Sequence, residues 1–214
     1  MSDTEIEKQL LALVRWRSEH RFGKYRGTVE QVATGADLGF ISAKVPEVFG
    51  SESVIERVRP CTPFGGDQHG LVAIPEAGDG VWIEFEGGLL SRPIWSGFFW
   101  ADNQIPDPKG PLVRTFITKK GHKLVLDDDA NKVQLLHAGG AELTMTNDDI
   151  TIKIGDSSIK LTKSDITLLA GAVSPQPKIK IEASQIAIET STAGSVKLTS
   201  GGVDIGNGAM KIGT

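Results

Sequence analysis

Residues 149–172 read DITIKIGDSSIKLTKSDITLLAGA and contain the same short unit three times. In each unit apolar residues stand two positions apart, and the unit closes with Gly, Asp or Ser. A period of two in Ile-, Thr- and Val-rich sequence is typical of β-strands, whereas a coiled coil needs apolar residues three and four apart. The stretch therefore predicts consecutive short strands, each with one apolar face.

Similar units continue from about Leu124 to Thr214. Within them, apolar residues recur seven positions apart, and we predict that these residues point inward and form one core. The predicted β-helix core residues are Ile152, Ile159, Ile166, Ile179, Ile186, Val196 and Val203.

A unit this short cannot bury its own apolar face, so the units must stack. Two β architectures satisfy this need. One chain could coil alone with three strands per turn, or three identical chains could wind around one shared core. The sequence favours the trimer, because the run Met210-Lys211-Ile212-Gly213-Thr214 stays in register without a polar cap, and an open strand edge needs a partner.

An amphipathic helix is predicted at the N-terminus. Ile6, Leu10, Leu13 and Val14 fall on one face at helical spacing. Such a helix either packs on its own domain or docks into another protein.

The middle of the chain predicts a small closed barrel of the OB type. Five candidate strands separated by Gly- and Pro-rich loops suit this architecture. They read YRGTVEQVA, GFISAKVPEV, GLVAIPE, DGVWIEFE and PIWSGFFW. We expect most of the aromatic residues there to lie in the core, namely Trp82, Phe85, Trp95, Phe98 and Phe99.

The predicted fold class is therefore all-β, with an OB-fold barrel followed by an intertwined trimeric triple-stranded β-helix. The predicted segments are a helix (1–20), an OB-fold domain (21–104), a linker (105–120) and the β-helix (121–214).

Composition excludes several functional classes. The chain carries 23 Lys and Arg against 27 Asp and Glu, for a net charge of −4, and no basic block. We therefore expect no binding to nucleic acid. No apolar run of eighteen residues and no secretory signal are present, so synthesis in the cytoplasm is expected. The single cysteine, Cys61, excludes an internal disulfide and is predicted to be buried.

The sequence predicts neither an enzyme nor a cofactor or metal site. Asp127, Asp128 and Asp129 stand near His122, but aspartates at a strand end are typical of a solvated turn. No phosphate loop, zinc-ligand spacing or nucleophile elbow is present. Residues 171–178 break the repeat and are predicted to bulge from the surface.

Two segments carry a family resemblance. IPEAGDGVWIEFEGGLLSRPIWSGF (74–98), with ERVRPCTPFGG before it, resembles the OB domain of phage baseplate assembly protein V and of type VI secretion spike proteins. KKGHKLVLDDDANKVQLLHAGGAELTM (119–145) resembles the family's entry into its β-helix. The matching positions are Pro75, Gly78, Asp79, Val81, Phe85, Glu86, Gly87, Arg92, Pro93, Gly97, Gly121, His122, Leu126, Asp127 and Asp128.

The resemblance implies a homotrimeric central spike that pierces the target cell envelope. It implies a place in a phage tail baseplate, a tailocin or an extracellular injection particle. The N-terminal end would meet the baseplate hub, with Ile6, Leu10, Leu13 and Val14 as docking residues.

This chain also departs from its relatives. Some relatives carry a lysozyme domain after the barrel, and others a His-x-His pair that holds iron at the tip; neither stands in this sequence. The resemblance therefore implies a separate PAAR-type tip protein. We expect it to dock on Met210, Lys211, Ile212, Gly213 and Thr214.

A receptor- or carbohydrate-binding tail fibre is the alternative function. Such a fibre would end in a head rich in aromatic residues. Residues 112–214 contain a single aromatic residue, Phe116, which favours piercing over adhesion.

Overall fold

The computed structural model describes residues 3–190, 192, 194–206 and 209–212, with the side chains of residues 3 and 211 left out. The chain divides into two compact units, residues 1–105 and residues 106–214. The first holds the helix and the barrel, and the second holds one large sheet.

Helix α1 spans Asp3–Glu19, and its end is attached to the barrel through the backbone. Arg21 N–H donates to the Gly88 carbonyl at 2.7 Å, and Leu90 N–H donates to the Glu19 carbonyl at 3.1 Å. Before this attachment, every described side chain of the helix is exposed. The apolar face of the helix is therefore exposed and is not packed on its own domain, which was one of the two alternatives.

A closed five-stranded barrel forms the body of the first unit, with strand order β1-β2-β3-β7-β6. All neighbouring pairs run antiparallel except β3 and β7, which run parallel. A short helix, α2 (Pro46–Phe49), follows β2. The strands are β1 (Tyr25–Val32), β2 (Ile41–Lys44), β3 (Val54–Pro60), β4 (Gly65–Gly66), β5 (His69–Gly70), β6 (Gly80–Phe85) and β7 (Pro93–Phe98).

Strand β6 shows how alternation builds the barrel core. In β6 the residues Val81, Ile83 and Phe85 point inward and are buried, while Trp82 and Glu84 between them are half-buried on the outside. The core cluster of the barrel consists of Val29, Ile41, Ala43, Val45, Val58, Val81, Ile83, Phe85 and Trp95.

One predicted strand of the barrel was wrong. The third strand is Val54–Pro60 and not GLVAIPE (70–76), of which only Gly70 lies in a strand, as the last residue of β5 in its short hairpin with β4. The β3 alternation was missed because a bulge between Ile55 and Val58 interrupts it, with Arg57 at a positive φ of 55°.

The aromatic residues divide between the inside and the outside of the barrel. Phe85 and Trp95 are buried as predicted, whereas Phe98 is 45% exposed. Trp82 and Phe99 pack against each other with their ring centroids 5.2 Å apart, and Arg26 lies over both rings.

The second unit is a single antiparallel sheet of twelve strands in sequence order. Its first strand, β8, lies within the segment predicted as a linker. The strands are β8 (Val113–Ile117), β9 (Lys123–Asp127), β10 (Lys132–Leu136), β11 (Glu142–Met145), β12 (Asp149–Ile154), β13 (Ser157–Thr162), β14 (Asp165–Leu169), β15 (Lys178–Glu182), β16 (Gln185–Glu189), β17 (Ser195–Thr199), β18 (Gly202–Ile205) and β19 (Met210–Ile212).

This topology excludes the solitary coil for the described residues. A single-chain β-helix stacks parallel strands from successive turns, whereas here every strand pairs antiparallel with its neighbours in sequence. The difference arises at the turns. Thr162 Oγ1, for example, accepts hydrogen bonds from the N–H groups of Ser164 and Asp165 and donates to Asp165 Oδ1 at 3.0 Å, which closes a tight reversal. Thr146 makes the same set of bonds around Asp149.

Candidate interaction surfaces

One face of the C-terminal sheet carries two continuous rows of apolar side chains, which we call ladder A and ladder B. Cross-strand partners place each row directly opposite the next residue of the same row. Ladder A consists of Phe116, Leu124, Leu135, Leu143, Ile152, Ile159, Leu168, Ile179, Ile188, Val196, Ile205 and Met210. Ladder B consists of Leu126, Val133, Met145, Ile150, Leu161, Ile166, Ile181, Ile186, Leu198, Val203 and Ile212.

The predicted core residues all lie on this face, but in two rows and not one. Ile152, Ile159, Ile179 and Val196 belong to ladder A. The other three, Ile166, Ile186 and Val203, belong to ladder B. The presence of two apolar positions in each strand from β9 onward was the signal for a second row.

Neither ladder is covered by the described residues of its own unit. Ile152, Ile159, Ile166, Ile179 and Ile186 are each 37–40% exposed, although their flanking strands pack on both sides. Among the described residues of this unit, no helix or second sheet lies over the apolar face. A contiguous apolar surface of this extent marks an interaction surface.

Part of this face is hollowed into an open apolar groove of about 530 Å³. Ile152, Ile154, Ile159 and Ile179 contribute to its wall, so it is continuous with ladder A. Ala170 and Pro177, at the ends of the β14–β15 connection, line it as well. That connection is exposed at residues 171–175, in agreement with the predicted bulge, and it is hydrogen-bonded to the neighbouring β12–β13 turn.

The opposite face is mostly polar, apart from the buried Val125 and Ala187, and carries ion pairs between neighbouring strands. Lys160 Nζ lies 2.8 Å from Asp149 Oδ2, and this contact lowers the pKa of Asp149 and raises the pKa of Lys160. Lys180 lies between Glu182 at 2.7 Å and Asp165 at 3.4 Å, and its pKa is raised by both hydrogen bonds. The hydrogen bond from Lys180 in turn lowers the pKa of Glu182. Mixed charges of this kind suit a face that stays in water.

The predicted hub-docking residues form an exposed stripe on α1. Ile6, Leu10, Leu13 and Val14 are 48–60% exposed. At the base of the helix, the rings of Trp16 and His20 stack with their centroids 4.7 Å apart, and His20 Nδ1 lies 2.8 Å from the Trp16 carbonyl oxygen. The stripe is thus presented on a helix whose end is held in place.

The predicted tip residues lie in and beyond β19. Met210 and Ile212 are 52% and 56% exposed at the far ends of the two ladders. Lys211 lies between them in the strand, and its backbone alone is described. Gly213 and Thr214 lie outside the described residues.

The acidic cluster after β9 is a turn. Asp127 Oδ1 accepts a hydrogen bond from Ala130 N–H at 2.9 Å. The neighbouring His122 instead packs on His137, with ring centroids 4.5 Å apart. Over the described parts of the chain, no group of three or more His, Cys, Asp or Glu side chains could hold a metal ion.

Cys61 is exposed, which corrects the prediction that it is buried. It follows β3 at the start of the loop that carries β4 and β5, outside the barrel core. Within the described residues, the longest helix is neither long nor apolar enough to cross a membrane.

Two family models match the chain, and both agree with the architecture. Residues 25–100 match the type VI secretion system/phage-baseplate injector OB domain, which corresponds to the closed barrel. Residues 114–174 match the phage baseplate V C-terminal trimerisation domain, which corresponds to β8 through β14 and the start of the next connection. A comparison with curated proteins gave no match.

These matches confirm the resemblance and support a coarse assignment of role. A trimerisation domain supports a homotrimer and agrees with the uncovered ladders. An injector OB domain supports a structural role in a baseplate or injection particle. Because the two matched segments follow each other in one chain and together cover more than half of it, this protein belongs to the phage baseplate V family.

Proposed function

We propose that this protein is the central spike of a contractile injection machine, and that three copies intertwine their C-terminal sheets and pierce the target envelope. The observation that carries the proposal is the pair of uncovered ladders, which run along the whole sheet on one face. Covering the exposed part of one such isoleucine stabilises the assembly by about 1–2 kcal/mol. Three copies that face inward would cover all of these side chains at once.

The proposed arrangement also suits a mechanical load. The strands of each copy hydrogen-bond to one another in succession from β8 to β19. If three such sheets close around a common axis along this direction, compression falls on many parallel backbone hydrogen bonds. The polar face, with its paired charges, would then form the outer surface.

We propose two docking sites for other components of the machine. The stripe of Ile6, Leu10, Leu13 and Val14 would dock the hub protein, because it is apolar, exposed and carried on an anchored helix. A PAAR-type tip protein would dock on residues 210–214, because Met210 and Ile212 present apolar side chains at the sheet edge formed by β19.

The experiment that tests the proposal is the mass of the purified protein in solution, measured by light scattering and paired with migration on an unheated SDS gel. We expect three times 22.9 kDa and resistance to SDS. A monomer would leave both ladders facing water and would contradict the intertwined spike. A trimer that instead retains a glycan or receptor and lacks envelope-piercing activity would favour the tail-fibre alternative.

A further inference from the structure

The β14–β15 connection, residues 170–177, is the longest connection between described strands of the C-terminal sheet. It is also tied down. Gly171 N–H donates to Ser157 Oγ at 3.0 Å, and Gln176 Nε2 donates to the Asp156 carbonyl at 2.6 Å and to the Gly171 carbonyl. Val173 near its middle is 53% exposed. The connection is therefore an anchored protrusion with an apolar side chain at its tip.

The apolar groove described above opens at the same strand ends. Ile154 and Ser157, which flank the β12–β13 turn, line it, as do Ala170 and Pro177. Val173 does not line the groove of its own chain. Val173, which we call the knob, and the apolar groove thus lie close together on one chain, but Val173 does not fill the groove.

The ladders themselves do not specify how three copies align along the sheet. From Leu124 and Leu126 onward, both ladders contain only Leu, Ile, Val and Met. Sliding one copy by one hairpin, about 10 Å at the usual strand spacing, would place Ile159 of one chain level with Ile179 of another. A uniform apolar surface specifies register weakly.

We propose that the β14–β15 connection sets the register between copies, with Val173 of one copy seated in the groove of a second copy. This inference rests on the proposed homotrimer. The groove is continuous with ladder A, and the part of ladder A from Phe116 to Leu168 lies within the residues that match the trimerisation domain, so the proposed occupant is another copy of this chain. The connection is longer than the other turns between described strands of the sheet, so the hairpin that carries it differs from its neighbours and can fix one register.

Two variants remove the knob in different ways. The first replaces residues 170–177 with Asn-Gly, since Leu169 and Lys178 pair directly and a two-residue turn can join them, as at Gly155–Asp156. The second, Val173→Ser, keeps the anchored loop and removes its apolar tip. Ala172→Ser is the matched control, because it adds the same hydroxyl to a neighbouring exposed residue.

Interchain disulfides report the register. In a Cys61→Ser background, chains carrying Ile159→Cys are co-expressed with chains carrying Ile179→Cys, oxidised and mapped by mass spectrometry of linked peptides. A second pair, Ile166→Cys with Ile186→Cys, tests ladder B in the same way, since these residues also lie two strands apart. Links between identical positions indicate copies in register, and links between the two different positions indicate a slip of one hairpin.

We expect the parent and Ala172→Ser to give links between identical positions. Both knob variants should keep the trimer mass while the ratio of mixed to identical links rises at least fivefold. An unchanged ratio in both variants would overturn the inference, and so would loss of the trimer, which would make the connection an assembly element. A monomeric parent would instead contradict the proposed spike, so the two failures are distinguishable.

Discussion

Ile152 and Ile159 lie directly opposite each other on β12 and β13, and each remains about two-fifths exposed although both are members of a continuous apolar row. Residues paired across two strands normally bury this surface beneath a second layer. Among the described residues of this unit no such layer exists, so the pair marks the surface on which we propose that other copies pack.

Replacing Ile159 with Asp should therefore abolish the trimer. The substitution would place a charge in each copy at a site that assembly removes from water, and an unpaired buried carboxylate costs several kcal/mol. Thr151→Asp is the control, because Thr151 lies opposite Lys160 on the polar face. Light scattering should give a monomer mass for the first variant and three times 22.9 kDa for the control. A trimer of Ile159→Asp would show that this face stays exposed.

Deleting residues 1–18 should leave the trimer intact and abolish binding of the hub protein in a pull-down. The reason is that the stripe on α1 is exposed, whereas the apolar ladders that would join the copies lie in the C-terminal sheet. The double variant Leu10→Ser/Leu13→Ser should weaken hub binding at least tenfold. Lys8→Ser/Gln9→Ser, exposed residues of the same helix, provides the control. Undiminished hub binding after the deletion would refute the assignment.

Trp95→Phe should destabilise the barrel by about 2–4 kcal/mol. Trp95 is 5% exposed, and its Nε1–H donates to the Gly39 carbonyl at 2.9 Å, so the change removes volume and leaves a buried acceptor unpaired. Trp100→Phe, at a side chain 64% exposed, should change stability by less than about 0.5 kcal/mol. All four tryptophans lie in the first 100 residues, so urea unfolding followed by their fluorescence reports on this unit alone. Equal midpoints for the two variants would contradict the prediction.

The acid stability of the barrel should depend on Lys24. Hydrogen bonds from Lys24 and Ser96 lower the pKa of Glu84 below its ordinary 4.5. A lowered carboxyl pKa contributes stability that is present above the ordinary pKa and is lost as pH falls through the lowered value. Lys24→Met should thus lower stability by about 1 kcal/mol or less at pH 7, because Lys24 is half exposed, and by less at pH 3. Melting curves followed by tryptophan fluorescence between pH 3 and pH 7 test this, with Lys8→Met as control. A difference that does not shrink toward pH 3 would argue against the ion pair.

Much of the fold follows from local sequence. Alternation at period two identifies the strands of the second unit and assigns each residue to a face, because successive side chains in a strand must point to opposite sides. The barrel was predicted from its strands and Gly-rich turns, and its core residues Phe85 and Trp95 are confirmed. Where the alternation is interrupted, as by the bulge in Val54–Pro60, the pattern failed.

The site was predicted only as a list of residues. Sequence spacing suggested one inward row, because Ile152, Ile159 and Ile166 are seven apart. In the structure Ile159 is opposite Ile152, but Ile166 is opposite Leu161 and joins the other row. The seven-residue spacing alone could not show this, since equal spacing along the chain does not give equal position across a reversal.

By itself, the sequence therefore determined which residues form strands with one apolar face, where the chain turns, and to which family the motifs belong. These properties depend on neighbours within a few positions of the chain. The tertiary structure decided that the strands run antiparallel in order, that the apolar residues form two ladders, and that the described residues of the same unit leave these ladders uncovered. These properties depend on the direction in which each turn sends the chain and on contacts between distant residues. The open groove beside the anchored connection at residues 170–177 arises from the same contacts.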